Sequence, residues 1–96
     1  MRYKIDVLRK DINNGVCANV HNCAVALALN RRFGKKKGYA GTEVDEYSAI
    51  LYLDDTLPVY VDFPQKTTRF IQNFDASADD RIERKKLKPF SFTVNV

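Results

Sequence analysis

Three residues near the start of the chain have types and spacing suited to binding a soft metal ion. Cys17, His21 and Cys23 form a C-x3-H-x-C pattern, and thiolate and imidazole groups are common ligands of zinc. A structural zinc site needs four ligands, but the chain has one His and only these two Cys. The fourth ligand would be a carboxylate such as Asp11. Two interpretations of the pattern stay open: a zinc-stabilised interaction module, and the simpler one of a buried thiol at a helix start. We expect no cofactor.

The same residues are candidates for nucleophilic catalysis. A position at a helix N-terminus would lower the pKa of Cys23, and His21 is close to it in sequence. A Cys–His pair must lie within hydrogen-bond reach, which residues two apart on either side of a helix cap rarely achieve. The paired carboxylates Asp54 and Asp55 fall in a predicted turn without a second, separated carboxylate for glycosidase chemistry. We therefore expect a protein that is not an enzyme.

Basic residues are concentrated in two runs that predict the main binding surface. Residues 31–37 carry five basic residues and no acid, and residues 81–88 carry five more against one Glu. Three Gly in residues 34–41 predict a loop that holds its lysines in water, and Tyr39 is placed to stack on a base. The pattern is not a P-loop, and a solvated charged loop remains the alternative. The predicted surface consists of Arg31, Arg32, Lys35, Lys36, Lys37, Tyr39, Arg84, Lys85 and Lys86.

An acidic segment separates the two basic runs. Residues 42–64 contain six Asp and Glu residues and no Lys or Arg. This separation of charge predicts two electrostatic faces, although the net charge is only +4. The acidic segment either mimics nucleic acid or docks a basic partner, or it is the ordinary outer face of a hairpin.

Hydrophobic periodicity predicts the elements that position these residues in one domain. Apolar alternation predicts strands over residues 2–9, 43–53, 57–63 and 90–96. A nearly all-apolar helix is expected over residues 23–33, capped by Asn22, and an amphipathic helix begins with Pro64 at its first position. Residues 81–88 are predicted to form a charged loop or a short exposed turn. The resulting β-α-β-β-α-β order predicts an α+β fold, with two helices on one face of a four-stranded, mainly antiparallel sheet.

The chain resembles a family of small uncharacterised proteins that are encoded widely in bacteriophages and prophages. The resemblance rests on scattered positions: Asp11-Ile12 with Gly15, Asn22-Cys23 with Val25–Leu29 and Arg31, Leu57-Pro58, Phe70-Ile71, Phe74-Asp75, Pro89-Phe90 and Phe92. The family tends to have Pro where this chain has Ala24, and Gly where it has Ala76 and Ser77. The lysines at 35–37 are not part of the family pattern. The resemblance implies an accessory phage protein that binds and redirects host machinery or blunts host defence.

These observations together predict a small binding protein of phage type. We expect it to inhibit a host protein or protein–nucleic-acid complex by occlusion, above all a defence system, as anti-CRISPR proteins do. The alternatives are a nucleotide-signal sponge that uses the loop 34–41, a nucleic-acid-binding protein, the zinc-stabilised module and a virion role. Charges at five of the first ten residues leave no apolar signal-peptide core. A cytoplasmic protein without a membrane segment is therefore expected; its oligomeric state stays open.

Overall fold

The computed structural model describes residues 1–53, 57–78 and 80–96. Within these ranges the chain forms five strands and four helices in the order β1 Arg2–Val7, α1 Arg9–Asn14, α2 Ala24–Phe33, β2 Tyr39–Val44, β3 Ser48–Leu53, β4 Val59–Asp62, α3 Gln65–Ala76, α4 Arg81–Lys86 and β5 Phe90–Asn95. This confirms the predicted α+β class. The predicted order of four strands and two helices was wrong, because it missed one strand and two short helices.

The strands form two antiparallel sheets, so the prediction of one four-stranded sheet was also wrong. In the first sheet, β1 pairs with β5 from Arg2↔Asn95 to Val7↔Phe90. In the second sheet the strand order is β2-β3-β4. The short strand β4 lies near β5, but side chains rather than a backbone ladder join the sheets there. The Phe63 and Phe92 rings meet edge to face across this boundary, with centroids 5.6 Å apart.

The segment predicted as one strand over residues 43–53 contains a turn between β2 and β3. The Asp45 carboxylate accepts hydrogen bonds from the backbone N–H groups of Tyr47 and Ser48, both at 2.7 Å, and such local bonding is how Asp directs a turn. Strand β2 begins at Tyr39, inside the segment predicted as a mobile loop. Gly41 has a φ of +127° at a β-bulge in this strand, a conformation that L side chains rarely adopt.

Other strand predictions agree better with the structure. Strand β5 lies where apolar alternation placed it, and β1 begins as predicted but ends at Val7, because Arg9 already belongs to α1. Strands β3 and β4 form the predicted antiparallel hairpin with Ile50 opposite Tyr60. The predicted turn at residues 54–56 lies outside the described residues. Strand β4 is shorter than the predicted 57–63, because it covers only Val59–Asp62.

Helix α2 is the apolar element at the centre of the fold, as its composition predicted. Its buried residues are Ala24, Val25, Ala26, Ala28, Leu29 and Phe33. The predicted cap at Asn22 was wrong, since Cys23 is the N-cap residue. It is Asn19 that caps the preceding turn, because its side-chain oxygen accepts from the His21 and Asn22 N–H groups.

Helix α3 presents its predicted apolar face to the core. Thr67, Phe70, Ile71 and Phe74 are all buried. Pro64 is the N-cap residue and therefore lies one position before the predicted one. No helix in the described part of the chain is long and apolar enough to cross a membrane.

Residues 81–86 form a helix, α4, although the sequence predicted a charged loop or turn. Its cap is Asp80, whose carboxylate accepts from the Ile82 N–H at 2.8 Å and the Glu83 N–H at 3.3 Å. Glu83 lies in the first turn and Lys86 in the last, an order that suits the helix dipole. A good cap and favourable charges therefore support a helix whose sequence has no apolar period.

Candidate functional site

The metal candidates Cys17, His21 and Cys23 do not converge. The Cys17 thiol donates to the Phe74 carbonyl at 3.0 Å. His21 instead lies beside β2, where its Nδ1 donates to the Thr42 carbonyl at 3.1 Å. Among the described residues no group of three or more His, Cys, Asp or Glu side chains is arranged to hold a metal ion.

Cys23 is buried and its thiol is held neutral. Burial raises its pKa, and it outweighs the backbone N–H groups at the start of α2, which lower it. The expectation of a lowered pKa at this helix start was therefore wrong. The buried position, with 5% of the residue exposed, agrees with the simpler interpretation of a thiol packed at a helix start.

In the first basic run, Arg31 has a structural role. Its guanidinium donates two hydrogen bonds to the Asp11 carboxylate, at 2.6 and 2.8 Å, and a third to the Asp6 carbonyl at 2.7 Å. Asp11 is buried, and it also accepts from the Leu8 N–H to cap α1. The hydrogen bond and charge of Asp11 raise the pKa of Arg31. This pair thus fixes α1 against α2.

The remaining basic residues of this run are exposed, and two of them lie over one aromatic ring. We call Arg32, Lys35, Lys36 and Lys37 the lysine end, and all four are exposed. The Arg32 guanidinium lies 4.9 Å from the centre of the Tyr3 ring, and the Lys36 Nζ lies 5.9 Å from it. Beside them a cleft of about 300 Å³ is lined by Asp6, Ala28, Arg31, Arg32 and Lys35. The lysine end therefore presents clustered positive charge to solvent.

Tyr39 belongs to the fold more than to the exposed surface. Its hydroxyl donates to the Asn30 side-chain oxygen at 2.6 Å, and its ring lies tilted on Phe33 with centroids 6.2 Å apart. Burial raises the pKa of Tyr39 to about 12. The hydroxyl and one ring face are thus already in contact with the protein, so Tyr39 is a poor stacking platform for a base.

In the second basic run, Arg84 points into the interior. Its guanidinium donates to the Ile12 and Asn13 carbonyls at 3.1 and 3.3 Å, and to the Cys17 sulfur at 3.3 Å. It also covers the Phe74 ring, 4.7 Å from the ring centre. Arg84 is 8% exposed. It therefore satisfies carbonyls at the C-terminal end of α1 and does not belong to an external surface.

Lys85 and Lys86 stay exposed on α4, although Lys86 pairs with Glu83 at 2.9 Å. A cleft of about 550 Å³ is lined by Asn13, Arg81, Arg84 and Lys85. Both basic runs are anchored to α1: Arg31 bonds to Asp11, and Arg9 donates to the Arg84 and Leu87 carbonyls at 3.3 and 2.6 Å. The runs, far apart in sequence, thus share one neighbouring helix.

The acidic segment forms an exposed sheet surface, which the sequence marks only by its charge. One face of the β2-β3-β4 sheet is buried in the core. The opposite face, which we call the tyrosine face, carries Glu43, Ser48, Ile50, Tyr52, Tyr60 and Asp62. The alternation Val59-Tyr60-Val61 is the sequence signal for this arrangement, because two valines facing the core leave the tyrosine outside.

The chain has no match among protein-family models, curated proteins or solved structures.

Proposed function

We propose that the protein is a non-enzymatic inhibitor of phage type that binds a host protein–nucleic-acid complex and blocks it by occlusion, above all in a defence system. The lysine end contacts the phosphate backbone of that complex. The phage assignment and the host target come from the sequence resemblance. The contact surface comes from the positions of the side chains.

The observation that carries this proposal is the exposed cluster of Arg32, Lys35, Lys36 and Lys37, of which Arg32 and Lys36 lie over the Tyr3 ring. The charge of Arg31 is balanced by the buried Asp11 carboxylate, so Arg31 is not counted in this cluster. Residues 31–37 contain no acid, so four cations face solvent without a carboxylate within their own segment. Such clusters bind polyanions by releasing condensed counterions.

A binding role also suits the state of the candidate catalytic groups. Cys23 is buried and its pKa is raised, whereas a nucleophilic cysteine needs thiolate character and access. The Cys17 thiol is already hydrogen bonded within the fold, since it donates to one carbonyl and accepts from Arg84. The proposal accordingly assigns no catalytic residue.

Occlusion is the mechanism that a small basic protein of this kind can perform without chemistry. Lysines on a compact scaffold compete for the same phosphates that a host complex must contact. The competition is electrostatic, so binding should weaken steeply as salt rises. It should also depend more on the number of phosphates covered than on base sequence.

The test is a fluorescence-anisotropy titration of a labelled single-stranded DNA oligonucleotide at several salt concentrations. Substitution of Lys35, Lys36 and Lys37 by Ala should weaken binding at least about tenfold at low salt and flatten the slope of log K against log salt by about 2. The matched control replaces Lys10, Lys66 and Lys88, which are exposed elsewhere, and removes the same charge.

Two results would overturn the proposed contact surface. Unchanged binding after loss of the three clustered lysines is one, and equal weakening by the two triple variants is the other, because it would indicate a general charge effect. The same titration with a free nucleotide as competitor addresses the sponge alternative. A sponge would be saturated by the nucleotide and would gain thermal stability from it.

A further inference from the structure

The tyrosine face is a regular surface built across three paired strands. Glu43 on β2 pairs with Ile50 on β3, and Ile50 pairs with Tyr60 on β4. These side chains therefore form one row across the sheet, because directly paired residues point to the same face. Ser48 opposite Asp62 forms the next row, and Gly41 opposite Tyr52 forms the row on the other side.

The aromatic groups on this face are accessible. Tyr60 is 71% exposed, and Tyr52 and Ile50 are partly exposed. Gly41, the cross-strand neighbour of Tyr52, has no side chain, and a Cβ built there would meet nothing within 4 Å. The space beside the Tyr52 ring is therefore open to a partner.

The charge of this face is negative. Glu43 and Asp62 lie on it, Asp45 and Glu46 lie in the adjoining turn, and no Lys or Arg occurs between residues 42 and 64. The His21 Nε2 lies 3.9 Å from the Glu43 carboxylate. Desolvation, and then the negative charge of the nearby Glu43 carboxylate, raise the pKa of the Tyr52 hydroxyl. Acidic groups and phenol rings thus share one surface.

This combination selects the chemistry of a partner. Carboxylates repel nucleic acid, so this face does not extend the phosphate-binding lysine end. Tyrosine rings attract cations over their faces. Arginine satisfies both features, because its planar guanidinium stacks on aromatic rings and pairs with carboxylates through parallel hydrogen bonds. Exposed tyrosines are also typical anchors of protein–protein interfaces.

We propose that the tyrosine face docks an arginine-bearing segment of a partner protein, with guanidinium groups stacked on Tyr52 and Tyr60 and paired with Glu43 and Asp62. This surface shares no residue with the lysine end and carries the opposite charge. The two surfaces together would let the protein bind a nucleoprotein at both its nucleic acid and its basic protein component. The docking does not depend on the phosphate contact.

A second copy of this chain has a lysine end of complementary charge, but geometry makes it a less suitable occupant. Its lysine end could reach the tyrosine face only by a head-to-tail contact between two different surfaces. Such contacts generate rings or open filaments unless the geometry closes. The occupant is therefore a foreign arginine-bearing protein segment.

The test uses a synthetic peptide of alternating Arg and Gly, titrated into the full chain and followed by two-dimensional NMR of the backbone amides. The largest shift changes should fall on Glu43, Ile50, Tyr52 and Tyr60. Tyr60→Ala should weaken binding at least about fivefold, as expected for loss of one cation–π contact of roughly 1 kcal/mol. The double variant Glu43→Gln with Asp62→Asn should weaken it further and reduce its salt dependence.

Matched controls separate this face from general effects. Tyr47→Ala removes a tyrosine that is 65% exposed but lies in the β2–β3 turn, and it should change the affinity less than twofold. A peptide with Lys in place of Arg should bind more weakly, because ammonium groups lack the planar stacking surface. The variant that lacks Lys35, Lys36 and Lys37 should bind the Arg peptide at least as well as the unchanged protein.

Three outcomes would overturn the proposal. Shift changes confined to residues outside the tyrosine face would place the peptide elsewhere. Equal weakening by Tyr47→Ala and Tyr60→Ala would show that the face has no special role. Self-association of the protein alone in sedimentation, if Tyr60→Ala abolishes it, would make a second copy the occupant.

Discussion

The two basic runs have the same number of positive residues, five each, but the structure uses them differently. In the run at 31–37, the first residue, Arg31, bonds to the buried Asp11 carboxylate, and the other four form the exposed lysine end. The run at 81–88 places a residue from its middle, Arg84, in the interior. Both inward arginines contact α1, but Arg31 meets a carboxylate and Arg84 meets carbonyls, a sulfur atom and an aromatic ring.

The comparison shows that the same residue type can serve as a surface charge or as a core group, according to its position on a helix. Arg31 lies in the last turn of α2, where one side of the helix still faces α1. Arg84 lies one turn into α4, on the side that packs against the C-terminal end of α1. The apolar residue of α4, Ile82, is instead 70% exposed. Helix α4 therefore reverses the usual rule that apolar residues face inward.

The largest expected effect concerns Arg84. Arg84→Met should lower the free energy of unfolding by about 3 kcal/mol, because the carbonyls of Ile12 and Asn13 lose their buried donor. The neighbouring Lys85→Met removes the same charge from an exposed site and should change stability by less than about 0.5 kcal/mol. Urea unfolding followed by circular dichroism measures both. Similar values for the two variants would contradict a structural role for Arg84.

A smaller effect is expected at the inward residue of the first run. Arg31→Ala removes the partner of the buried Asp11 carboxylate and should cost about 2 kcal/mol. This is less than for a fully buried ion pair, because the Arg31 side chain is 35% exposed and water can partly replace it. Arg32→Ala is the matched control, and it should be nearly neutral for stability.

A second substitution sharpens the test of this pair. Asp11→Asn in the Arg31→Ala background should recover part of the lost stability, because a neutral amide is easier to bury than an unpaired charge. If the double variant is less stable than Arg31→Ala, the cost does not come from the unpaired carboxylate, and the cap that Asp11 provides to the Leu8 N–H becomes the main contribution.

The sequence predicted elements wherever an apolar period was present. Strand β5, the hairpin β3–β4 and the apolar face of α3 follow from alternation or from helical spacing of large side chains. Helix α4 could not be found in this way, because its stability depends on the Asp80 cap and on an arginine that packs inward. The break between β2 and β3 depends on one Asp side chain that bonds to its own turn.

The candidate site could be predicted only as a set of charges. Clustering of lysines in sequence located the lysine end, since neighbouring loop residues stay neighbours in space. The roles of Arg31, Arg84 and Tyr39 depend on Asp11, on the α1 carbonyls and on Asn30, which are distant in sequence or marked by no pattern. The division into two sheets likewise depends on how β4 meets β5, which strand periodicity does not encode.

The two basic runs are also held in place in different ways. The second run is anchored by its own Arg84. The first is anchored by Arg31, and a hydrogen bond between the residues on either side of the run also holds its two ends together. Asn30 precedes the run and Tyr39 follows it, and their side chains are hydrogen bonded at 2.6 Å. Breaking this bond should loosen the loop that carries the lysines without disturbing α4.

High pH should break the Tyr39–Asn30 hydrogen bond, because the Tyr39 hydroxyl then loses its proton. Burial raises the pKa of Tyr39 to about 12 from an ordinary value of about 10. The folded protein holds this proton more tightly than the unfolded chain does. The resulting stability is therefore fully present below about pH 10 and is lost as the pH rises through about 12. Tyr39→Phe should cost about 1 kcal/mol at neutral pH through the lost hydrogen bond, and this difference should shrink between pH 10 and 12. Urea unfolding across this range measures it, with the exposed Tyr47→Phe as the control, and a difference independent of pH would show that the Tyr39 hydroxyl does not titrate with the fold.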